Sequence, residues 1–481
     1  MSGIKTKFSF QLLYAFSQLI FPLISYPYIT RTLGAAGLGL VGYVEYVSGF
    51  IIAIASFGIP FYGVREAAKL QNNLPGQQLL FRQLFLIHVL VSIIGLAVFA
   101  GIINFSRQVI PLPLFALGCI NIMLPPFIAE WYMQGIEAFK FTTIRNIVLR
   151  ALGLAAIFIF VASTPDYVIY YGIIILVQLA VAVTNLYRIN AFQQSKDVAG
   201  IRRHVKPLLH FFLTASIISI YVFFDVIILG MAADEKSVGY YTVAIKIIKL
   251  SLLLVLALNV ILFPRISQLT SVMDLAVIRS LIDKVLSFII LLTLPITVGF
   301  YFLAPQIIQL VAGAAFLPAI PLMRLLCAVP FVIGLSNLFV YQILVPFEKE
   351  KKMLLAVFIT CICSLGLHVT LVNLFEEKGT AVATIFTEVI MLVLTYYFSF
   401  KTFHFNFPVR LLLQSIAALG PFVSLVLIAQ YVAAPPIWIV CIAVPGIILY
   451  GLLHLFLFKN TLLREALTSL RWRRKLRVSN G

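Results

Sequence analysis

The chain has 481 residues, of which 62% are hydrophobic and only 11% charged, with a mean hydropathy of +1.07. A soluble domain carries about 25% charged residues, so a soluble enzyme, a disordered chain and a nucleic-acid-binding domain are excluded, and no nucleic acid partner is expected. The excess of 35 Lys and Arg over 17 Asp and Glu, a net charge of +18, instead bears on which side of a membrane the cations occupy.

Lys5 and Lys7 precede an apolar run over 8–33. It is too long for a signal peptide and lacks a small-residue cleavage site, which predicts a retained first span. A bilayer core needs about 20 apolar residues per helix. On that rule thirteen more spans follow, near 37–63, 80–104, 111–136, 142–163, 167–187, 208–231, 237–263, 281–304, 318–346, 353–375, 379–400, 410–431 and 436–458. Turn residues separate several of them, as at Leu33-Gly34-Ala35-Ala36-Gly37, Asn72-Asn73-Leu74-Pro75-Gly76, Ala233-Asp234-Glu235-Lys236 and Pro435-Pro436. With the N-terminus inside, 28 of the 35 cations fall in segments assigned to the cytoplasm. Four (Arg31, Arg107, Lys236, Lys378) fall outside, and Lys246, Lys249 and Arg324 lie within spans. A miscounted helix would invert the bias after the error, so fourteen spans with both termini cytoplasmic are expected. The polybasic stretch Arg471 to Arg477 then reads as a topogenic tail near anionic headgroups.

The Gln-, Arg- and Lys-rich link near 190–207 divides the first twelve spans into two sets of six. Each set carries the same short pattern. Leu33-Gly34 and Val41-Gly42-Tyr43 recur as Leu229-Gly230 and Val238-Gly239-Tyr240, and Pro60-Phe61 with Arg65 recurs as Phe263-Pro264-Arg265. The expected architecture is an all-α polytopic membrane protein with two parallel six-helix lobes, 1–200 and 201–402. Two final helices and a basic tail occupy 403–481. A substrate path between such repeats is the usual arrangement.

Ionisable groups in hydrocarbon are costly and mark functional candidates. Arg31, at the outer end of the first span, reads either as an interfacial arginine or as a guanidinium that holds phosphate at a cavity mouth. On the same helix Gln11, Gln18 and Ser25 recur every seven residues, with Tyr14 and Tyr28 near that face, as a polar lumen requires. In the eighth span Thr242, Lys246, Lys249 and Leu253 form one helical stripe. Its two lysines stand roughly 14 to 18 Å from the outer end, near the midplane. They need acidic partners or a wet cavity that receives an anion. Glu45, Asp225 and Glu388 lie roughly 9 to 14 Å from the outer ends of their helices. They pair with Arg31, Arg324 or the lysines, or they carry a coupling ion. Glu130, beside Trp131 and Tyr132, reads as interfacial.

The five cysteines sit in apolar stretches without metal spacing and read as small hydrophobes. There is no Walker A loop, HExxH, GxSxG or dinucleotide fingerprint. An enzyme, a bound cofactor and a metal site are therefore not expected.

At Tyr28-Ile29-Thr30-Arg31-Thr32-Leu33-Gly34, followed by Gly37, Gly39, Gly42 and Tyr43, the sequence resembles the Wzx oligosaccharide flippases. These belong to the superfamily of multidrug and toxin extrusion transporters and lipid II flippases. The likeness continues through Asp225 to Gly230, Val238-Gly239-Tyr240, Ala244 to Lys246 and Phe263-Pro264-Arg265-Ile266-Ser267. It implies alternating-access translocation of undecaprenyl-diphosphate-linked repeat units, such as O-antigen or capsule units, across a bacterial inner membrane. Membrane lipids and a polysaccharide polymerase are the implied partners. Arg31 and Lys246 fall on motif positions, whereas Lys249 rests on the stripe. Two other functions remain open: a drug/cation antiporter of the same superfamily, which wants acids dominating its cavity, and a membrane glycosyltransferase or polymerase, which wants a large external loop.

Overall fold

The computed structural model describes residues 2–70, 73–189, 200–271, 274–432, 435–458 and 460. The basic stretch at 471–477 and the 190–199 part of the central link lie outside the described residues. Among the described residues there are seventeen α-helices and no strand. They are α1 (Ser2–Ala55), α2 (Ile59–Lys69), α3 (Leu74–Asn104), α4 (Leu112–Ile128), α5 (Glu130–Gly135), α6 (Phe139–Phe160), α7 (Tyr167–Ile189), α8 (Arg202–Ala232) and α9 (Glu235–Ser271). Then come α10 (Leu275–Phe302), α11 (Ala304–Val311), α12 (Ala319–Leu326), α13 (Val329–Leu338), α14 (Glu350–Thr402), α15 (Val409–Ala418), α16 (Gly420–Tyr431) and α17 (Pro436–Leu452). In an apolar solvent a backbone must satisfy its own hydrogen bonds, which is why such a composition condenses into helices. Eleven helical stretches among the described residues are long and apolar enough to cross a membrane.

Two long helices double back on themselves. In α1 the break is Gly34, at φ 67 and ψ −178, a backbone state that glycine tolerates for lack of a Cβ. Before it, α1 runs alongside α6 in the same direction. Thr143 Oγ1 donates to the Phe10 carbonyl at 3.1 Å, and Tyr28 OH donates to the Val161 carbonyl at 2.7 Å. After it, α1 runs against α8, with Phe50 on Phe224 and Phe57 on Phe212. In α14 the break is Glu376, at φ 49. Its two arms are antiparallel: Lys352 meets Thr402, Thr360 meets Met391, and a Cβ on Gly379 would stand 2.0 Å from the Leu371 carbonyl oxygen.

The chain forms two compact units. The first comprises Met1–Thr242 with Leu365–Thr380. One end of it is closed by a core in which Ile59, Tyr62, Leu80, Phe81, Leu84, Trp131, Tyr132 and Leu208 interlock. At the other end the two repeat motifs press together. A Cβ on Gly39 would lie 1.7 Å from the Glu235 carbonyl oxygen, and one on Gly239 would lie 2.1 Å from that of Ala35. The repeated glycines are thus where backbone meets backbone.

The second unit comprises Val243–Ser364 with Ala381–Gly481. One of its cores joins Ile278, Ile282, Leu286 and Ile289 of α10 to Leu335, Leu338 and Phe339 and to Phe403 and Phe405. A second core seats the last helices: Leu419, Phe422 and Val426 of the α15–α16 pair interlock with Ile439, Ala443 and Tyr450 of α17 and with Leu303. Gln430 Nε2 donates to the Phe302 carbonyl at 2.7 Å and so ties α16 to the end of α10.

Candidate functional site

The first half of α1 carries Tyr14, Gln18, Ser25 and Tyr28 along the side that ends at Arg31. Pro22 and Pro27 lie inside this half, each without a backbone N–H for the helical ladder. The side chain of Gln11 lies outside the described residues. At the Arg31 end a cavity of about 750 Å³ opens, lined by Pro27, Tyr28, Arg31, Thr32, Ser163 and Thr164 among others. Its far wall is a fixed turn, because Asp166 Oδ2 accepts from the Ala162 N–H at 2.9 Å and from the N–H and hydroxyl of Ser163, each at 2.8 Å. Thr164 Oγ1 donates to the Thr32 carbonyl at 3.3 Å and Tyr28 OH to that of Val161, which close the wall onto α1. Arg31 is exposed within this framework. A guanidinium on a rigid rim, with hydroxyls around it, is chemically suited to phosphate oxygens and sugar hydroxyls.

The other residues singled out from sequence divide between the units. In the first, Glu45 is exposed on the second half of α1, and Asp225 is buried on α8. The Tyr241 hydroxyl donates to Asp225 Oδ2 at 2.8 Å, and the Val226 N–H donates to Oδ1 at 2.8 Å. Both carboxylates lie within electrostatic reach of Tyr46, and Glu45 also of Tyr26 and Tyr171. Tyr171 OH and Ser48 Oγ both receive the Asn121 amide, at 3.1 and 3.0 Å, so a polar seam runs through α1, α4 and α7.

In the second unit Lys246 and Lys249 are half-exposed on α9, and Glu388 is buried on the returning arm of α14. Lys249 makes no hydrogen bond or ion pair among the described residues, while Lys246 and Glu388 both have partners. Arg324 is exposed in the last turn of α12. Its Nε donates to the Tyr301 carbonyl at 3.3 Å, and its guanidinium stands 5.7 Å from the Tyr301 ring centroid. That carbonyl belongs to the last turn of α10, where a cation complements the helix dipole. The side chain of Leu253, which completes the lysine stripe read from sequence, lies outside the described residues.

Arg145 and Arg150, which the charge count assigned to the cytoplasmic side of the 142–163 span, both lie inside α6. Arg145 is buried. Its guanidinium pairs with Glu130 Oε2 at 3.1 Å, meets Asn146 Oδ1 at 3.0 Å and also donates to Asn185 Oδ1. Asn185 Nδ2 in turn donates to the Ile128 carbonyl at 2.6 Å, beside the left-handed Ala129 that breaks α4 from α5. Glu130 is therefore part of a buried ion-pair network. No periodicity could reveal it, because its members come from three helices. At the same end of the unit, His204 is buried between the Tyr62 hydroxyl and Gln83 Oε1, each at 2.7 Å. Burial, with Arg203 beside it, holds this imidazole below its ordinary value.

Comparison with known proteins bears on the family and the fold. The model of the polysaccharide biosynthesis protein family matches residues 4–270, and that of the lipid II flippase MurJ matches residues 143–467. A protein of Escherichia coli (strain K12) named as an O-antigen transporter is 23% identical over 77% of this chain and 91% of its own. A protein of the same description from Shigella dysenteriae is 22% identical over 78% and 94%. Among solved structures, lipid II flippase MurJ in an inward closed conformation superposes with a TM-score of 0.70 at 15% identity, over 94% of this chain and 99% of its own. A MATE transporter in complex with MaD3S gives 0.52 at 14% identity, over 82% and 94%. These last two bear on the fold alone. The chain belongs to the polysaccharide biosynthesis protein family, the Wzx-type membrane flippases that its motifs resemble.

Proposed function

We propose that this protein moves a lipid-linked oligosaccharide, a repeat unit on a polyprenyl diphosphate, from the inner to the outer leaflet of a bacterial inner membrane. The observation that carries this reading is the Arg31 cavity, a guanidinium on a fixed, hydroxyl-lined rim at the end of the polar side of α1. A diphosphate and its glycan cannot enter hydrocarbon unaided. A wet, cationic path lowers that barrier while the polyprenyl tail stays in lipid. Arg31, Lys246 and Lys249 are the proposed contacts to the phosphates; Glu45, Asp225 and Glu388 serve as ion-pairing or coupling groups, and Arg324 serves as an ion-pairing cation at its helix end. The protein acts as a transporter and catalyses no bond change.

The proposed topology has fourteen crossings, because α1 and α14 each hold two arms and α9 adds one more apolar helix to the eleven stretches. Charge bias supports cytoplasmic termini. Six-helix lobes at 1–200 and 201–402 would alternate access, with 403–481 as an added pair. A polysaccharide polymerase would consume the delivered unit. The test is genetic. Deleting the gene should abolish surface polysaccharide and leave drug resistance unchanged, and Arg31→Ala, Lys246→Ala and Lys249→Ala should each lower surface polysaccharide at normal protein level. Lost drug resistance with intact polysaccharide would favour the antiporter, and normal polysaccharide in all three variants would remove the anion-path assignment.

A further inference from the structure

We infer that Arg150 is an anion-binding residue in the membrane interior, a lower station on the path that ends at Arg31. The inference rests on the flippase reading and adds to it a residue that neither the motifs nor the stripes identify.

The depth of Arg150 follows from the α1–α6 pairing. Thr143 is fixed to Phe10, and Tyr28 is fixed to Phe158 and Val161. Arg150 lies between these tie points, about 10 Å beyond Thr143 and about 16 Å short of Val161 at the helical rise per residue. Its guanidinium stands 5.7 Å from the ring centroid of Tyr14, on the side of α1 that carries Gln18, Ser25 and Tyr28. Arg31 lies some 25 Å farther along the same helix. Two guanidiniums therefore bracket one polar strip, one inside the membrane and one at its outer edge.

The bonding of Arg150 distinguishes it from a structural cation. Arg145, five residues earlier, is saturated by Glu130, Asn146 and Asn185. Arg150 is only half-buried and makes no hydrogen bond or ion pair among the described residues. Glu130 lies within electrostatic reach of it, but that carboxylate already binds Arg145 and the Asn185 amide. A ring face attracts a cation without using its N–H groups, so the planar fork of Arg150 keeps its donors for a bidentate oxyanion. An arginine at this depth is otherwise penalised by hydrocarbon. A phosphate ester passing along α1 supplies the missing acceptors.

The test measures binding of undecaprenyl diphosphate, undecaprenyl monophosphate and neutral undecaprenol to the purified full-length protein in lipid nanodiscs. Wild type should prefer diphosphate over undecaprenol. Arg150→Gln should weaken diphosphate binding by roughly 10- to 100-fold, the range for a lost charge-assisted hydrogen bond, and leave undecaprenol binding unchanged. If Arg150→Gln does not fold, Arg150→Lys must show a smaller diphosphate-over-monophosphate preference, because an ammonium lacks the fork. Wild-type preferences in the Arg150 variants would overturn this inference and leave the flippase reading standing. A wild type that does not distinguish diphosphate from undecaprenol would overturn both.

Discussion

Arg145 and Arg150 sit five residues apart on α6 and do different work. The first is buried, with a carboxylate and two amide oxygens at its guanidinium, and it holds three helices around the break between α4 and α5. The second is half-buried against a tyrosine ring, with its donors open. A charge whose partners are all supplied by the protein is part of the scaffold. A charge left open on a polar strip is equipped for a guest. Asp225, held by the Tyr241 hydroxyl and the Val226 N–H, belongs to the first kind.

The comparison is broken most directly at its saturated member. Arg145→Ala should destabilise the first unit by about 3–5 kcal/mol, since it strands a partly buried carboxylate and two amides. Thermal unfolding in detergent measures this, and an unchanged midpoint would show that the network is ornamental. Gly39→Ala tests the end where the repeated glycines meet. Its new Cβ meets the Glu235 carbonyl, so a loss of about 1–3 kcal/mol is expected from overpacking. Arg31→Ala should sharpen the contrast at the cavity rim: a normal unfolding midpoint with transport lowered by roughly tenfold or more. Loss of fold instead would move Arg31 into the scaffold class.

The smallest effect concerns His204, another saturated group. Its folded state resists protonation, so the unfolded chain takes up the proton first as pH falls. Stability should therefore hold above the ordinary histidine value near 6.5 and decline below it. A loss of at most about 1 kcal/mol between pH 6.5 and 5.5 is expected, and His204→Gln should flatten it. A wild-type unfolding midpoint independent of pH over that window would remove His204 from the account.

Much of the membrane pattern was legible in one dimension. Apolar length, alternating Lys and Arg counts and the turn at Leu33-Gly34 are properties of consecutive residues, and so is the polar side of α1 with Arg31 at its end. The different bonding of Arg145 and Arg150 was not legible, because two arginines five residues apart on one span look alike in sequence whether their donors are filled or open. The network around Glu130 was hidden for a similar reason: its partners, Arg145 and Asn185, lie 15 and 55 residues away.

By itself, then, the sequence determined that this is a many-helix membrane protein with a repeated glycine motif and a polar first helix. Those features follow from solvent preference and helical periodicity, which act locally. Only the tertiary structure decided which charges are satisfied and which stay open, because a hydrogen bond depends on distances of about 3 Å between side chains that the chain itself holds far apart.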